Sequence, residues 1–322
     1  VVLELKDVKI HYKTSKGMVK AVDGVSFDVD EKETIGLVGE SGSGKSTLGY
    51  GIMKLLPRTA KVGGRILLDG ENLADKNEKE MQRIRGAKIA MIFQDPMTSL
   101  NPVMKVRDHF VEMIKTHNPE MSEEDAQKLA SKALEAVGID PVRMNDYPFQ
   151  FSGGMRQRVM IALGLVLNPK VVIADEPTTS LDVIVQAQIL ELLKSLKEKY
   201  NMSMILITHD LGVVAEMADK IAVMYAGHLV EFSESEKIYY EPKHPYTKAL
   251  LESIPNTDIN DLELKFIPGS PPDLVDPPKG CRFAPRCPVA KKICFEKEPP
   301  TVEVNGSKVK CWIYEGDNDG NG

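Results

Sequence analysis

Ile35-Gly-Leu-Val38-Gly39-Glu40-Ser41-Gly42-Ser43-Gly44-Lys45-Ser46-Thr47 is the stretch on which the reading of this chain turns. Residues 35–38 are apolar and β-rich, the glycines after them break any regular element, and the residues from Lys45 to Leu56 read as a helix that Pro57 stops. Strand, glycine-rich turn and helix in that order form the setting in which this pattern is a phosphate-binding loop rather than a plain turn. Gly39, Gly42 and Gly44 let backbone N–H groups curl around phosphate oxygens, and Ser41, Ser43 and Thr47 belong to the same cradle. The helix N-terminus adds partial positive charge, Lys45 reaches the β- and γ-phosphates of a nucleotide, and the Ser46 hydroxyl binds Mg²⁺.

Outward from this loop, residues 89–93, 171–174 and 205–208 are the clearest further strands. They alternate with amphipathic helical stretches, which predicts an α/β fold around a largely parallel sheet. Residues 2–12, 19–29 and 64–68 read as a hairpin-prone antiparallel piece. Between about 96 and 168 the strand signals vanish. Ala126, Leu129, Ala130, Ala133, Leu134 and Val137 keep a helical period that Ser122 with Asp125 can cap and Gly138 can end, so a helical subdomain is expected there.

The strand at 171–174 runs into Asp175 and Glu176. Neighbouring strand residues face opposite ways, so the two acids take separate roles. Asp175 can hold Mg²⁺ through its water shell, and Glu176 can orient and deprotonate the attacking water. Alone, such a pair is often just a solvated strand end; it gains meaning from the loop at 39–47. Phe151-Ser152-Gly153-Gly154-Met155-Arg156-Gln157-Arg158 precedes another helical stretch and offers a second phosphate-binding surface at a helix N-terminus. One chain has no need of two grips on one γ-phosphate. A pair of chains does, if each places this segment over the other's loop.

Length and charge narrow the class. The 322 residues suffice for one large domain with an appendage, and 41 Lys and Arg against 47 Asp and Glu leave a net charge of −6 with no basic block. That argues against nucleic acid as a partner. No apolar run reaches the ~18–20 residues that span a bilayer, and no signal-peptide pattern opens the chain, so it reads as cytosolic. Twelve of the 20 prolines follow residue 235, which places a domain boundary there.

Gly39 to Thr47, Gln94, Ser152 to Gln157, Asp175, Glu176, Ser180-Leu181-Asp182 and His209 stand in the order and spacing of an ABC-type nucleotide-binding domain, and the resemblance covers the chain to residue 235. It implies two such domains sandwiching two ATP molecules. Gln94 would touch Mg²⁺ and the attacking water, His209 would contact the γ-phosphate and position Glu176, Asp182 would report across the dimer interface, and Tyr12 would stack on adenine. Singly, Gln94 and His209 could be polar strand ends and Tyr12 ordinary half-buried packing. Met155 and Phe151 replace the family's usual glutamine and leucine around the Ser-Gly-Gly, whose phosphate-binding part is intact.

The flanks resemble a particular subfamily. Gln94-Asp-Pro-Met-Thr-Ser-Leu-Asn-Pro102, His11-Tyr-Lys-Thr-Ser-Lys-Gly17, His244-Pro-Tyr-Thr-Lys-Ala-Leu-Leu251 and Gly280-Cys-Arg-Phe-Ala-Pro-Arg-Cys-Pro-Val-Ala290 are similar to segments of peptide and nickel importer ATPases. The resemblance implies a dipeptide or oligopeptide importer with two membrane-spanning permease subunits, a second ATPase chain that is identical or a sister, and an external peptide-binding protein. The chain itself would lie on the cytoplasmic face of the membrane. Nickel as cargo and a soluble, non-transport ABC ATPase are the alternatives.

All four cysteines lie in the extension 236–322, spaced Cys281-x5-Cys287-x6-Cys294-x16-Cys311. Disulfides do not suit a reducing cytosol. Zinc usually wants a tight C-x2–4-C knuckle, which is missing, whereas wider loops suit a [4Fe–4S] cluster. Seven Lys/Arg against three Asp/Glu in residues 281–311 would offset thiolate charge at either metal centre. A small, irregular C-terminal metal-binding domain, stapled by its metal, is therefore expected, and the polar tail 316–322 reads as disordered.

Overall fold

The computed structural model describes residues 1–95, 99–254 and 267–315. The tail 316–322 and part of the 94–102 stretch lie outside them. Strand β3 (Thr34–Val38) is buried along its whole length and leads into the glycine loop and helix α1 (Lys45–Ile52). It is flanked in parallel by β8 (Ser203–Ile207) and β9 (Lys220–Tyr225), with β7 (Val171–Asp175) and β6 (Ile89–Ile92) continuing beyond β8. Five parallel strands with both faces covered explain the near-continuous Val, Ile, Leu and Met runs.

A separate antiparallel sheet orders β2 (Gly17–Val29), β1 (Leu3–Thr14), β4 (Ala60–Leu68) and β5 (Glu71–Asn72) side by side. Helix α1 lies between the two sheets, and its glycines make room. A Cβ on Gly51 would stand 2.4 Å from Ile10 Cδ1, and one on Gly49 would stand 3.1 Å from Ile207 Cδ1. The helix stops at Ile52, short of the expected Leu56, because Lys54 turns left-handed at φ 52° and Leu55 N–H folds back onto the Tyr50 carbonyl at 2.9 Å.

The opposite face of the main sheet carries the helical subdomain. No strand interrupts the described residues between β6 and β7. Instead α3 (Val106–His117), α4 (Glu123–Ala136) and α5 (Gly153–Leu165) pack Phe110, Ile114, Ala126, Ala130, Leu134, Val159 and Ile161 into one core. Helix α2 (Glu78–Ile84) precedes β6 on the other side, and α6 (Val183–Tyr200) and α7 (Leu211–Met217) connect the later strands.

After residue 235 the chain does not leave this framework. Strand β10 (His228–Glu234) pairs antiparallel with β9, and a C-terminal hairpin, β11 (Thr301–Val304) and β12 (Ser307–Lys310), extends the same sheet by pairing β12 with β10. Helices α8 (Ser235–Tyr240), α9 (Pro245–Glu252) and α10 (Lys292–Glu296) complete the extension. Tyr246, Phe283 and Ile238 from the extension share a core with Val38, Val223 and Tyr225 of the main sheet. Apolar packing against the sheet therefore carries much of what a metal staple alone was expected to do.

Candidate nucleotide site

At the C-terminal end of β3, Gly39, Gly42 and Gly44 all take positive φ, at 151°, 78° and 100°. Side chains are barred at two of them: a Cβ on Gly39 would meet the Met224 carbonyl at 2.1 Å, and one on Gly44 the Ala21 carbonyl at 2.3 Å. The loop is thus pressed against β9 and β2, which fixes its curl. Lys45 folds back along it, donating to the carbonyls of Gly39 at 2.7 Å and Glu40 at 3.1 Å. Burial pulls the Lys45 pKa down, against the opposing pull of Glu176, Asp175 and Glu40. Ser43 is also buried, and its hydroxyl has no protein partner among the described residues.

The acidic pair divides, but through a turn rather than through strand alternation, because the strand ends at Asp175. Asp175 is 1% exposed and accepts a 2.8 Å hydrogen bond from the Ser46 hydroxyl, and burial raises its pKa. Hydroxyl and carboxylate, both hard oxygen donors at the start of the phosphate helix, are the donor set that suits Mg²⁺. Glu176 lies one residue beyond the strand with φ 47°, a conformation that is unfavourable for a non-glycine residue. Its backbone N–H donates to the Ile207 carbonyl at 2.9 Å, which clamps this turn onto the neighbouring strand β8. Its carboxylate meets His209 Nδ1 at 2.9 Å and accepts from the Thr179 hydroxyl at 2.9 Å.

One cavity of about 570 Å³ gathers these groups: Ser41, Gly42, Gly44, Lys45, Ser46, Thr47, Gln94, Glu176, Thr179 and His209 line it. Thr179 was not singled out in the sequence; its place three residues after Glu176 becomes meaningful only once the turn folds the hydroxyl back onto the carboxylate. Gly39, Ser43 and Asp175 stand behind the lining. Tyr12, Asp182 and Ser152 to Gly154 are elsewhere. Tyr12 packs half-buried against the core under the antiparallel sheet. Ser152 caps α5 by accepting from Met155 N–H, and Asp182 caps α6 by accepting from Val185 N–H at 3.0 Å. These two caps adjoin, since a Cβ on Gly154 would lie 2.7 Å from Val185 Cγ1.

The cysteine region departs from expectation in its charges. Arg282 pairs with Asp23, Arg286 with Glu40 and Lys310 with Glu298, so these cations face carboxylates and do not sit as a neutralising shell for thiolates. No disulfide links the four cysteines. Cys281 lies within electrostatic reach of Cys311 and Cys294, and Cys287 within reach of Cys294 and Cys311. Burial pushes Cys281 up to about 11 and raises Cys287 and Cys311. Among the described residues no group of three or more His, Cys, Asp or Glu side chains is arranged to hold a metal ion. That supports neither the expected [4Fe–4S] cluster nor zinc, and no metal-binding domain is evident among the described residues.

Comparison with known proteins agrees with the fold. Residues 22–179 match the model of the ABC transporter family, and residues 230–294 match the model of the oligopeptide/dipeptide transporter C-terminal region. This chain belongs to the ATP-binding subunits of ABC transporters, in the branch that carries the oligopeptide/dipeptide C-terminal region. It is 53% identical to the oligopeptide transport ATP-binding protein OppD of Bacillus subtilis, over 98% of this chain and 89% of that one. It is 49% identical to the dipeptide transport ATP-binding protein DppD of Lactococcus lactis, over 98% and 91%. Among solved structures, the ATP-binding cassette MJ0796 in a dimeric post-hydrolysis state with ADP and Pi superposes with a TM-score of 0.65 at 30% identity, covering 72% of this chain and 98% of that one.

Proposed function

We propose that this chain hydrolyses ATP to drive import of dipeptides or oligopeptides, as the motor subunit of a membrane complex. The observation that carries the reading is the cavity in which Lys45, Ser46 with Asp175 bonded behind it, and a Glu–His–Thr cluster meet beside the glycine loop. Peptide as the cargo is supported by the names of the relatives and by the matching C-terminal region.

The chemistry follows from the side chains. Lys45 and the loop N–H groups bind the β- and γ-phosphates of ATP, and Ser46 and Asp175 would hold Mg²⁺, which supplies charge neutralisation as the terminal phosphoryl group departs. Glu176, held by Thr179 and His209, takes the proton of the attacking water, and Gln94 orients that water. His209 faces the γ-phosphate from the other side of Glu176. The Ser152 to Gly154 turn stands outside its own chain's cavity, on the surface it shares with the Asp182 cap. Its phosphate grip therefore serves the site of a second ATPase chain, identical or a sister, and Asp182 lies at that interface. Tyr12 stacks on adenine.

The permease subunits dock beside Gln94, where Met53, Leu55, Phe93, Leu100, Met113 and Leu163 line an apolar groove of about 750 Å³. An external peptide-binding protein delivers the cargo without touching this chain. No helix among the described residues is long and apolar enough to cross a membrane, which suits a peripheral subunit on the cytoplasmic face. Cys281, Cys287, Cys294 and Cys311 hold a [4Fe–4S] cluster in our reading, supported by the electrostatic reach of Cys294 to each of the other three and by loops too wide for one zinc. Iron and acid-labile sulfide in the anaerobically purified protein would bear this out; zinc alone, or neither metal, would contradict it.

The functional reading is tested by peptide uptake into vesicles that hold the chain with its permeases and external receptor. Uptake should require ATP inside the coupling compartment and vanish with Lys45→Ala. Nickel uptake without peptide uptake would move the chain to the alternative cargo.

A further inference from the structure

Glu40, the second residue of the phosphate loop, is gripped from the C-terminal extension. Arg286 forks its carboxylate, Nη1 donating to Oε2 at 2.8 Å and Nη2 to Oε1 at 3.0 Å. Tyr246 accepts the Glu40 backbone N–H on its phenol oxygen at 2.9 Å, while the Glu40 carbonyl accepts from Lys45. Every N–H of Arg286 is engaged: Nε donates to the Pro268 carbonyl at 2.8 Å, Nη1 also to the Tyr225 hydroxyl at 3.2 Å, and Nη2 also to the Ile267 carbonyl at 3.2 Å. Tyr225, Tyr246 and Phe283 are packed as mutually tilted or edge-on rings that hold the clamp in place.

We propose that Arg286, with Tyr246, is a positioning residue of the ATP site, acting through Glu40 to set the affinity of the loop for ATP. The inference rests on the ATPase reading and goes beyond it, since it assigns the extension a part in nucleotide binding. Two physical arguments carry it. Arg286 is buried and Glu40 half-buried, and an ion pair of this kind gains little net stability, whereas a fork that fixes both oxygens of a carboxylate sets geometry. A carboxylate within the phosphate loop would also repel the phosphates unless its charge were neutralised, and Arg286 neutralises it. The opposite flank of the loop is held similarly: Arg282 donates to the Ala226 carbonyl and to Asp23, and the next residue, Gly227, donates its N–H to the Ser43 carbonyl at 2.9 Å.

The test is steady-state ATP hydrolysis by the purified membrane complex, read as KM against kcat. Arg286→Met should raise KM for ATP about tenfold with kcat within about twofold, because it uncovers the Glu40 charge next to bound phosphate. Adding Glu40→Gln to Arg286→Met should bring KM back to within about threefold of the parent, which a merely structural arginine would not do. Arg286→Lys should fall between, since an ammonium cannot reproduce the fork. A KM for Arg286→Met within twofold of the parent, or a raised KM that Glu40→Gln leaves untouched, overturns the proposal. Should Arg286→Met not assemble, Tyr246→Phe removes only the hydroxyl: a KM raised about threefold supports the clamp, and an unchanged KM overturns it. A parent complex that does not hydrolyse ATP would instead overturn the functional reading.

Discussion

Glu176 is held by contacts from three directions: β8 through its backbone, Thr179 through one carboxylate oxygen and His209 through the imidazole. A general base needs both a fixed direction and an acceptor kept ready for the water proton, and these contacts supply the direction. Thr179→Val removes the hydroxyl and keeps the shape. A single hydrogen bond worth about 0.5–1.5 kcal/mol predicts a roughly 3–10-fold fall in kcat, with KM for ATP nearly unchanged, in steady-state kinetics of the complex. Lys45, Ser46, Asp175 and Glu176 were legible in the sequence because each sits in a short, local pattern whose chemistry is self-contained. Thr179, Tyr246 and Arg286 were not, since what gives them meaning is a partner that only the fold supplies; Arg286 is 246 residues from Glu40.

Among the elements, α4 shows how far periodicity reaches. Ser122 accepts from Asp125 N–H at 3.1 Å at its start, and Gly138 takes φ 75° just past its end, so both ends and the buried face follow from the sequence. Leu134 is fully buried where α4 meets the rest of the subdomain. Leu134→Ala should cost about 2–5 kcal/mol of stability, read from the denaturant midpoint of the isolated chain, because the packed helices around it can only partly collapse into the gap. Helix α1 shows the opposite case. Its sequence allows four more residues, but the left-handed turn at Lys54 lets the following chain drop back towards the antiparallel sheet, a tertiary demand that local propensity does not encode.

At the scale of the whole molecule, the extension and the catalytic sheet share a core, and that coupling has a pH signature. His244, 1% exposed, accepts from Tyr246 N–H on Nδ1 at 3.0 Å and donates its own backbone N–H to the buried Glu231. Burial pulls the His244 pKa down to about 3, the charge of Lys248 acts in the same direction, and a contact with the backbone at Lys310 opposes both. In the unfolded chain the imidazole takes up its proton near pH 6.5, whereas the folded chain refuses it until about pH 3. Stability is therefore complete above about pH 6.5 and is lost as the pH falls towards 3, by roughly 1.4 kcal/mol per pH unit for one such group. His244→Asn keeps a capping side chain and removes the titration. Its stability between pH 6.5 and 4 should fall less steeply by about one proton; an unaltered slope would mean that His244 is not held neutral. The rise in proline content after residue 235 reads clearly in the sequence, yet the return of residues 301–310 to the main sheet does not, because edge pairing between distant strands leaves no local mark.

The central claim, that this chain is an ATP-hydrolysing motor with Glu176 as its base, is tested most directly by the steady-state ATPase rate of the Glu176→Gln complex alongside its ATP binding. The expected result is a fall of about a hundredfold or more with ATP still bound. Hydrolysis at the parent rate would contradict it.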